Sequence, residues 1–245
     1  MSKKMIAITQ RLIAHEQYFE IREALSSEWG ILFNKGHIFD SFLPLPLSYN
    51  MNFQDYLSSL GDRLAGVILS GGNDLSCCMK DSADDDTYLA QQKILSQQRD
   101  SYEKTIIQCC IAHRIALLGI CRGAQMIAWH FGSNIERCKD HVGLHEIIYT
   151  QDARTLSYAQ MQNKQEFSQQ SFVGNSFHNY CITKLGKQLV ALATSTDNTI
   201  ESFRHKKYPI FGIVWHIERK NGWENNCIVQ EWLNTIIKLQ NPYSN

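Results

Sequence analysis

The chain reads Ile115-Ala116-Leu117-Leu118-Gly119-Ile120-Cys121-Arg122-Gly123 near its middle. The first six residues form an unbroken apolar run, which is typical of a strand buried on both faces of a parallel sheet. The run ends in a glycine-rich turn around Cys121, and the residues that follow predict a helix to about Phe131. A buried strand that turns directly into a helix is the repeating unit of an α/β fold.

Strands and helices alternate on both sides of this stretch. Leu64–Leu69 repeats the apolar pattern and runs into Ser70-Gly71-Gly72. The other predicted strands are Met5–Thr9, Phe39–Leu47, Ser133–Glu136, Glu146–Tyr149, Leu189–Ala193, Thr199–Phe203 and Ile210–Trp215. The other predicted helices are Phe19–Trp29, Phe53–Leu60, a long one within Asp84–Arg114 whose buried face would hold Leu89, Ile94, Leu95, Ile106 and Ile107, and one from about Trp223 to Leu239.

This order of elements predicts an α/β fold with a mostly parallel twisted sheet flanked by helices. We find no internal repeat, and we expect residues 1–245 to form a single domain. The polar stretch Gln151–Ser171 is expected to be an exposed insertion.

Composition argues against several functional classes. The 245 residues carry 24 Lys and Arg against 24 Asp and Glu, and this zero formal charge disfavours broad nucleic-acid binding. No apolar run is long enough to span a membrane, and Met5–Ile8 is too short for a signal-peptide core. We therefore expect a cytoplasmic protein.

The eight cysteines include no Cys-x-x-Cys pair, and most of them are expected to be buried thiols.

The turn at Cys121 has the pattern of a nucleophile elbow. It reads G-x-C-x-G, the thiol version of the G-x-S-x-G turn that exposes a nucleophile between a strand and a helix. The N–H groups and the positive dipole end of the following helix would favour the Cys121 thiolate. The alternative is a buried cysteine in a glycine-rich turn, and the strand before it and the helix after it favour the functional interpretation.

His216 is the histidine best placed to act as a base for Cys121. It stands at a predicted strand end, and Glu218 follows two residues later on the same side of an extended chain. Glu218 can therefore hydrogen-bond and orient the imidazole, although a lone His-x-Glu can also be a surface pair. Two backbone N–H groups, of Arg122 and of Gly72, are expected to form the oxyanion hole.

A second cluster of possible metal ligands occurs in Cys138-x-x-His141-x-x-x-His145. Two histidines four residues apart bind a metal well on a helix, but Val142-Gly143-Leu144 is typical of a turn that enters a strand. The sequence therefore predicts no metal site and no cofactor.

Three stretches together resemble the class I glutamine amidotransferase family. They are Ser70-Gly71-Gly72-Asn73-Asp74, Gly119-Ile120-Cys121-Arg122-Gly123-Ala124-Gln125 and Trp215-His216-Ile217-Glu218. Finer features resemble the γ-glutamyl hydrolase branch of that family, namely Ile8-Thr9-Gln10-Arg11, Arg99-Asp100-Ser101-Tyr102-Glu103 and Asn175-Ser176-Phe177-His178. The resemblance extends from Met5 to about Leu239 and implies a flavodoxin-like α/β fold.

The resemblance implies a role for each matching residue. Cys121 would attack the carbonyl carbon of a γ-glutamyl amide, His216 would move the protons and Glu218 would orient His216. The residues that would hold the small-molecule γ-glutamyl substrate are Gln125, Asn175, Ser176, Phe177 and His178. The sequence departs from the family at Ile217, where proline is usual, and at Asn179 and Tyr180, which puts contacts near His178 in doubt.

Three functions remain open at this point: a freestanding γ-glutamyl amide hydrolase, a glutaminase subunit that passes ammonia to a synthetase partner, and a catalytically inactive binding module. Intact Cys121, His216 and Glu218 argue against the third, and the lack of a synthetase domain favours the first.

Two arginines are candidates for contact with the leaving group. Arg11 follows the first strand and Arg219 follows Glu218, both at the sheet edge where ligands bind in open α/β folds. Their guanidinium groups would hold a phosphorylated leaving group by charge-assisted hydrogen bonds. The alternative is that Arg11 pairs with an acidic neighbour and that Arg219 is solvated.

Overall fold

A computed structural model describes residues 2–15, 20–79, 87–139, 141–156, 171–220, 222 and 227–240. Within these residues an eleven-stranded sheet is the centre of the fold. A separate two-stranded sheet consists of β2 and β3. The strands of the two sheets are β1 Lys4–Ile8, β2 Arg11–Ala14, β3 Ile21–Ala24, β4 Phe42–Pro46, β5 Leu64–Leu69, β6 Ala116–Ile120, β7 Asn134–Arg137, β8 Val142–Tyr149, β9 Ser171–Phe177, β10 Tyr180–Lys184, β11 Leu189–Ser195, β12 Ile200–His205 and β13 Ile210–Ile213.

Helices cover both faces of this sheet. They are α1 Trp29–Leu32, α2 Phe53–Leu60, α3 Thr87–His113, α4 Arg122–His130 and α5 Cys227–Gln240. On one face of the sheet, residues of α2, α3 and α4 pack against Val67 of β5 and Leu117 of β6. On the other face, residues of α5 pack in a second apolar cluster with Ile68 and Leu118. This two-sided burial explains why β5 and β6 read as unbroken apolar runs.

The predicted fold class is confirmed by the central part of the sheet. Strands β4, β1, β5, β6 and β13 lie side by side in that order and all pair in parallel. Leu69 pairs with Gly119, and Ile120 pairs with Ile213, so that β5, β6 and β13 end at the same edge. The turns after these three strands therefore meet in one place, as the sequence predicts.

The sheet continues beyond β13 in an antiparallel extension that the sequence does not predict. The order runs from β13 through β12, β11 and β8 to β9, and β7 and β10 form a further pair that joins β12. The structure gives β8 and β11 longer bounds than predicted and adds β2, β3, β9 and β10. This extension carries Asn175 and Ser176, on β9.

The helix predicted at Phe19–Trp29 is wrong. Ile21–Ala24 is a strand that pairs antiparallel with Arg11–Ala14, and a helix begins only at Trp29. Glu23 accepts hydrogen bonds from the Tyr49 amide and the Ser48 hydroxyl, at 2.7 and 2.9 Å. These hydrogen bonds join residues that are distant in the sequence. They stabilise the strand against the helix that the local spacing of apolar residues favours.

Two further expectations need correction. Leu89 and Ile94 of α3 are 50% and 61% exposed, so that Leu95, Ile106 and Ile107 alone of the predicted set supply the buried face. Most of the predicted insertion Gln151–Ser171 lies outside the described residues, and at its start Ala153 and Leu156 are buried rather than exposed.

Cys138 and Cys181 form a disulfide, which corrects the expectation that they are thiols. Strands β7 and β10 pair antiparallel, and just past the end of β7 the Cys138 amide donates to the Asn179 carbonyl. This pairing brings Cys138 close to Cys181. Of the free cysteines in the described residues, Cys110, Cys121 and Cys227 are buried, whereas Cys77 is exposed.

The edge strand β4 contains two prolines, Pro44 and Pro46, which pair in register with Ile6 and Ile8 of β1. Prolines in a sheet are confined to edges because they have no N–H group for the ladder.

None of the helices among the described residues is long and apolar enough to cross a membrane.

Candidate active site

Cys121 stands on a strained turn between β6 and α4. Its φ is 52°, in the region that residues other than glycine rarely adopt. Its amide donates to the Ile213 carbonyl at 2.8 Å, and its carbonyl accepts from the Gln125 amide at 3.1 Å as the helix begins. The turn thus has the strand–elbow–helix form that the sequence predicts.

Two glycines make this turn possible. A Cβ added to Gly123 would lie 2.0 Å from the Leu69 carbonyl oxygen, and one added to Gly119 would lie 2.6 Å from the Gly123 backbone. No side chain fits at either position, because β6, α4 and the end of β5 approach each other backbone to backbone.

His216 is held on both sides by buried hydrogen bonds. Its Nδ1 lies 2.7 Å from Oε1 of Glu218, and both side chains are buried. The Asn175 side chain accepts from the His216 amide at 2.8 Å and donates to the His216 carbonyl at 3.1 Å. His216 Nε2 makes no hydrogen bond to any described residue, so it is free to act on a substrate proton.

Cys121 and His216 meet beside Gly71. A Cβ added to Gly71 would lie 3.0 Å from Cε1 of His216 and 3.4 Å from Cβ of Cys121. Gly71 therefore limits the space between nucleophile and base, a role that the sequence did not assign. Gly72, with a φ of 91°, instead faces the side chain of Arg11.

The electrostatics at His216 favour the imidazolium ion. Burial opposes a charge on the ring, but the Cys121 sulfur and the Glu218 carboxylate outweigh it and raise the pKa of His216 to about 10. An imidazolium at neutral pH stabilises a neighbouring thiolate, which is the reactive form of a cysteine.

A buried ion network supports the two turns of the site. Arg99 on α3 donates to the carbonyls of Ser70, Gly71 and Gly72 at 3.2–3.3 Å. It also pairs with Glu103 at 3.0 Å. The Arg122 guanidinium pairs with Asp100 and Glu103 and is buried. Two buried carboxylates therefore hold the ends of the Arg122 side chain, and its backbone N–H is the group predicted for the oxyanion hole.

Comparison with known proteins identifies the family. The sequence profile of the Peptidase C26 family matches residues 39–218, which is more than half of the chain. The chain belongs to the Peptidase C26 family. It is 46% identical over 231 residues to the γ-glutamyl-CDP-amidate hydrolase of Campylobacter jejuni, a match that covers 94% of this chain and 98% of the relative. The protein is thus a hydrolase, as the sequence predicts.

More distant relatives agree in fold. Anthranilate synthase component 2 of Saccharolobus solfataricus is 26% identical over 51% of this chain and 63% of its own length. The crystal structure of a glutamine amidotransferase from Thermotoga maritima superposes with a TM-score of 0.58 at 13% identity, covering 98% of this chain and 99% of that chain. This Peptidase C26 protein thus has a glutamine amidotransferase fold.

The residues predicted to hold the substrate divide into two groups in this Peptidase C26 protein. Ser176 is buried and its hydroxyl has no hydrogen-bond partner among the described residues, and the Phe177 ring meets the His216 ring edge to face at 5.7 Å. Of these two, the half-exposed Phe177 ring can contact a ligand, whereas the Ser176 hydroxyl is buried and unpaired within the described part of the chain. The side chains of Asn175 and Gln125 instead bond to backbone, Asn175 to His216 and Gln125 to the Tyr180 carbonyl at 2.7 Å.

Both candidate arginines lie near residues of the predicted site. The Arg219 guanidinium lies 4.4 Å from the centre of the Phe177 ring, so that it is stacked and not simply solvated. The alkyl chain of Arg11 packs on Gly72, within 2.8 Å of the position of an added Cβ. A cavity of about 680 Å³ lined by Lys4, Leu64 and Ala116 lies at the opposite edge of the sheet and is not part of this site.

His178 belongs to a different cluster from the one predicted. Its Nδ1 lies 3.0 Å from the Tyr180 carbonyl oxygen, and its Nε2 faces Glu201 at 3.9 Å. His141 and His145 face the same carboxylate. The prediction that Val142-Gly143-Leu144 is a turn is wrong, because these residues begin β8, and an extended chain places His141 and His145 on one side. Glu201 carried no signal in the sequence.

Proposed function

We propose that this enzyme hydrolyses γ-glutamyl amides through a glutamyl thioester on Cys121. Its proposed substrate is γ-glutamyl-CDP-amidate, and its products are then glutamate and cytidine diphosphoramidate. The observation that carries the chemistry is the meeting of an elbow cysteine, at a φ of 52°, with the Glu218-bound His216 beside Gly71. Likeness to the Campylobacter jejuni hydrolase, at 46% identity over nearly the full length of both chains, supports the substrate.

In the first half of the reaction the amide bond breaks. The Cys121 thiolate attacks the γ-carbonyl carbon, and the resulting oxyanion accepts hydrogen bonds from the backbone N–H groups of Gly72 and Arg122. The His216 imidazolium donates its proton to the departing nitrogen as the C–N bond breaks. This leaves a thioester on Cys121, a neutral His216 and the free amidate.

In the second half water hydrolyses the thioester. Neutral His216 accepts a proton from the attacking water, and the C–S bond breaks as the tetrahedral intermediate collapses. Glutamate leaves, and the thiolate–imidazolium pair is restored. Glu218 keeps its hydrogen bond to Nδ1 throughout and therefore presents Nε2 to the reacting atoms in both steps.

The alternative, a glutaminase subunit with a synthetase partner, receives less support. The chain shares only about half of its length with the anthranilate synthase component, against nearly all of it with the γ-glutamyl-CDP-amidate hydrolase. We also propose that the enzyme acts in the cytoplasm on a small molecule, without nucleic acid. The resemblance of the sequence further implies a role in capsule polysaccharide biosynthesis.

The test is steady-state hydrolysis by the isolated protein. Glutamate release from γ-glutamyl-CDP-amidate and from glutamine is measured side by side. We expect continuous turnover of the nucleotide substrate with a kcat/KM well above that for glutamine. Turnover of glutamine alone, and only when a synthetase partner is added, would instead support the glutaminase alternative.

Cys121→Ala tests the nucleophile. We expect no measurable turnover with an unchanged circular dichroism spectrum, since the thioester cannot form. Cys109→Ala, a partly buried thiol on α3, is the matched control and should retain wild-type activity. Normal turnover of Cys121→Ala would rule out this mechanism.

A further inference from the structure

A fully buried carboxylate on β12 is surrounded by three imidazole rings. Glu201 Oε1 lies 3.2 Å from His145 Nε2, 3.6 Å from His141 Nδ1 and 3.9 Å from His178 Nε2. The His141 ring centre is 5.0 Å from that of His145 and 5.1 Å from that of His178. The cluster unites β8, the β9–β10 turn and β12.

The four atoms that face one another in this cluster lack hydrogen bonds. Glu201 is 0% exposed, yet neither of its oxygens accepts a hydrogen bond from any described residue. The same holds for His141 Nδ1, His145 Nε2 and His178 Nε2. Buried polar atoms are normally paired, and one cation placed among these atoms would pair all of them.

Hydrogen bonds on the outer side of two rings prepare the inner nitrogens as ligands. His178 Nδ1 is 3.0 Å from the Tyr180 carbonyl, which can only accept, so that the proton is on Nδ1 and Nε2 has a free lone pair. His141 Nε2 is 2.9 Å from the Asp197 carboxylate, which accepts from Nε2–H, and Nδ1 faces Glu201. Ring nitrogens held by a carbonyl or a carboxylate are the usual outer contacts of metal-bound histidines.

We propose that His141, His145, His178 and Glu201 bind a divalent transition-metal ion, with Zn²⁺ as the expected ion. Three imidazole nitrogens and one carboxylate oxygen form a donor set that suits Zn²⁺. Tetrahedral ligands at about 2.0–2.1 Å from zinc lie roughly 3.3 Å apart. The ligand atoms of His141, His145 and Glu201 all lie within 4.8 Å of one another, and His178 Nε2 lies outside that group, 3.9 Å from Glu201 Oε1. All four positions are supplied by the protein, so the site is structural and holds the strands next to Asn175 and His216.

Two nearby cysteines offer a competing set of ligands. Cys138-x-x-His141 and His178-x-x-Cys181 have paired spacing, and the two sulfurs lie 3.9 and 3.8 Å from His178 Nδ1. The structure favours the histidine–glutamate set for two reasons. The cysteines are joined in a disulfide, and His178 Nδ1 is already engaged with a carbonyl.

The experiment is Zn²⁺ titration of chelator-treated protein by isothermal titration calorimetry, together with elemental analysis of the untreated protein. We expect one Zn²⁺ per chain and a higher Tm with Zn²⁺ than without it. His145→Ala and Glu201→Gln should weaken binding by about 100-fold or more, and Asp197→Asn by about 10–100-fold. His130→Ala, a partly buried histidine outside the cluster, should bind Zn²⁺ as the wild type does.

Two results would overturn the proposal. One is the absence of stoichiometric Zn²⁺ both in the purified protein and after titration. The other is loss of binding in Cys138→Ser/Cys181→Ser with binding retained in His145→Ala, which would assign the ion to the cysteine set. Asp197 is half exposed, so Asp197→Asn provides a test even where Glu201→Gln fails to fold. Co²⁺ in place of Zn²⁺ should give no thiolate charge-transfer absorption in the wild type.

Discussion

Gly71 sets the separation of nucleophile and base. An added methyl group would lie 3.0 Å from the His216 ring and 3.4 Å from the Cys121 Cβ. We expect Gly71→Ala to lower kcat by about 100-fold, because a displacement of about 1 Å at the reacting groups has an effect of that size. Gly30→Ala, where an added methyl meets nothing within 4 Å, is the control. Unchanged kcat in Gly71→Ala would show that the two side chains are not confined there.

Glu218 determines the pH range over which His216 stays charged. Removal of its carboxylate in Glu218→Gln removes an interaction that raises the pKa of His216, so that pKa falls from about 10. His216 then loses its proton at lower pH, and the high-pH decline of kcat/KM should shift to lower pH. The loss of kcat should be smaller than that of His216→Ala, for which about 10²–10⁴-fold is expected. A pH profile identical to the wild type would contradict this role.

Arg219 offers a test of the leaving group. Its guanidinium is stacked on Phe177, next to His216. We expect Arg219→Ala to lower kcat/KM for γ-glutamyl-CDP-amidate by about 10-fold or more while glutamine hydrolysis changes little, since only the nucleotide offers phosphate oxygens. Arg11→Ala is measured in parallel. Equal effects on the two substrates in both variants would mean that neither arginine contacts phosphate.

At the scale of elements, helix α3 holds the turn at residues 70–72 in place through Arg99. Replacement by methionine leaves the three carbonyls of Ser70–Gly72 and the Glu103 carboxylate without this partner. We expect Arg99→Met to lower the free energy of unfolding by about 3–5 kcal/mol, as is typical when a buried ion pair loses one member. Urea denaturation measures this, with exposed Arg63→Met as the control. Equal stability of the two variants would contradict the role of Arg99.

The elements predicted correctly are those that need only local information. Phe53–Leu60 and Leu64–Leu69 have the predicted bounds. The helix shows helical spacing of its apolar residues and ends at Gly61. The strand is an unbroken apolar run that ends at the glycine turn after Ser70. Strands β2, β3, β9 and β10 are not predicted because they are mixed in polarity, and all but β9 are only four or five residues long. Pairing with distant strands stabilises them, and the sequence does not specify that pairing.

The same limit applies to the site. Cys121, His216 and Glu218 could be predicted because each lies in a short motif, and the structure brings Glu218 to His216 and His216 to Gly71. The roles of Arg99 and Glu201 depend on contacts between separate elements. Spacing along the chain gives no sign that Glu201 meets His141, although the two are buried together.

At the scale of the whole molecule, we propose that the chain unfolds as one domain. The sheet runs without interruption from β4 to β9, so the parallel and antiparallel parts share the pairing of β13 with β12. We expect a single urea transition with the same midpoint by far-ultraviolet circular dichroism and by tryptophan fluorescence, which reports buried Trp215 and Trp232. Two separate midpoints would show that the antiparallel part forms a second unit.

The prolines of β4 have a consequence for self-association. The Leu47 amide donates to Ile8 of β1, so residues of the same parity, Leu43 and Leu45, also direct their N–H groups toward β1. Pro44 and Pro46 then lie at the positions whose N–H groups would point outward. The open edge of the sheet therefore lacks two of the donors that an incoming strand from another molecule needs, which protects this edge against strand addition and aggregation.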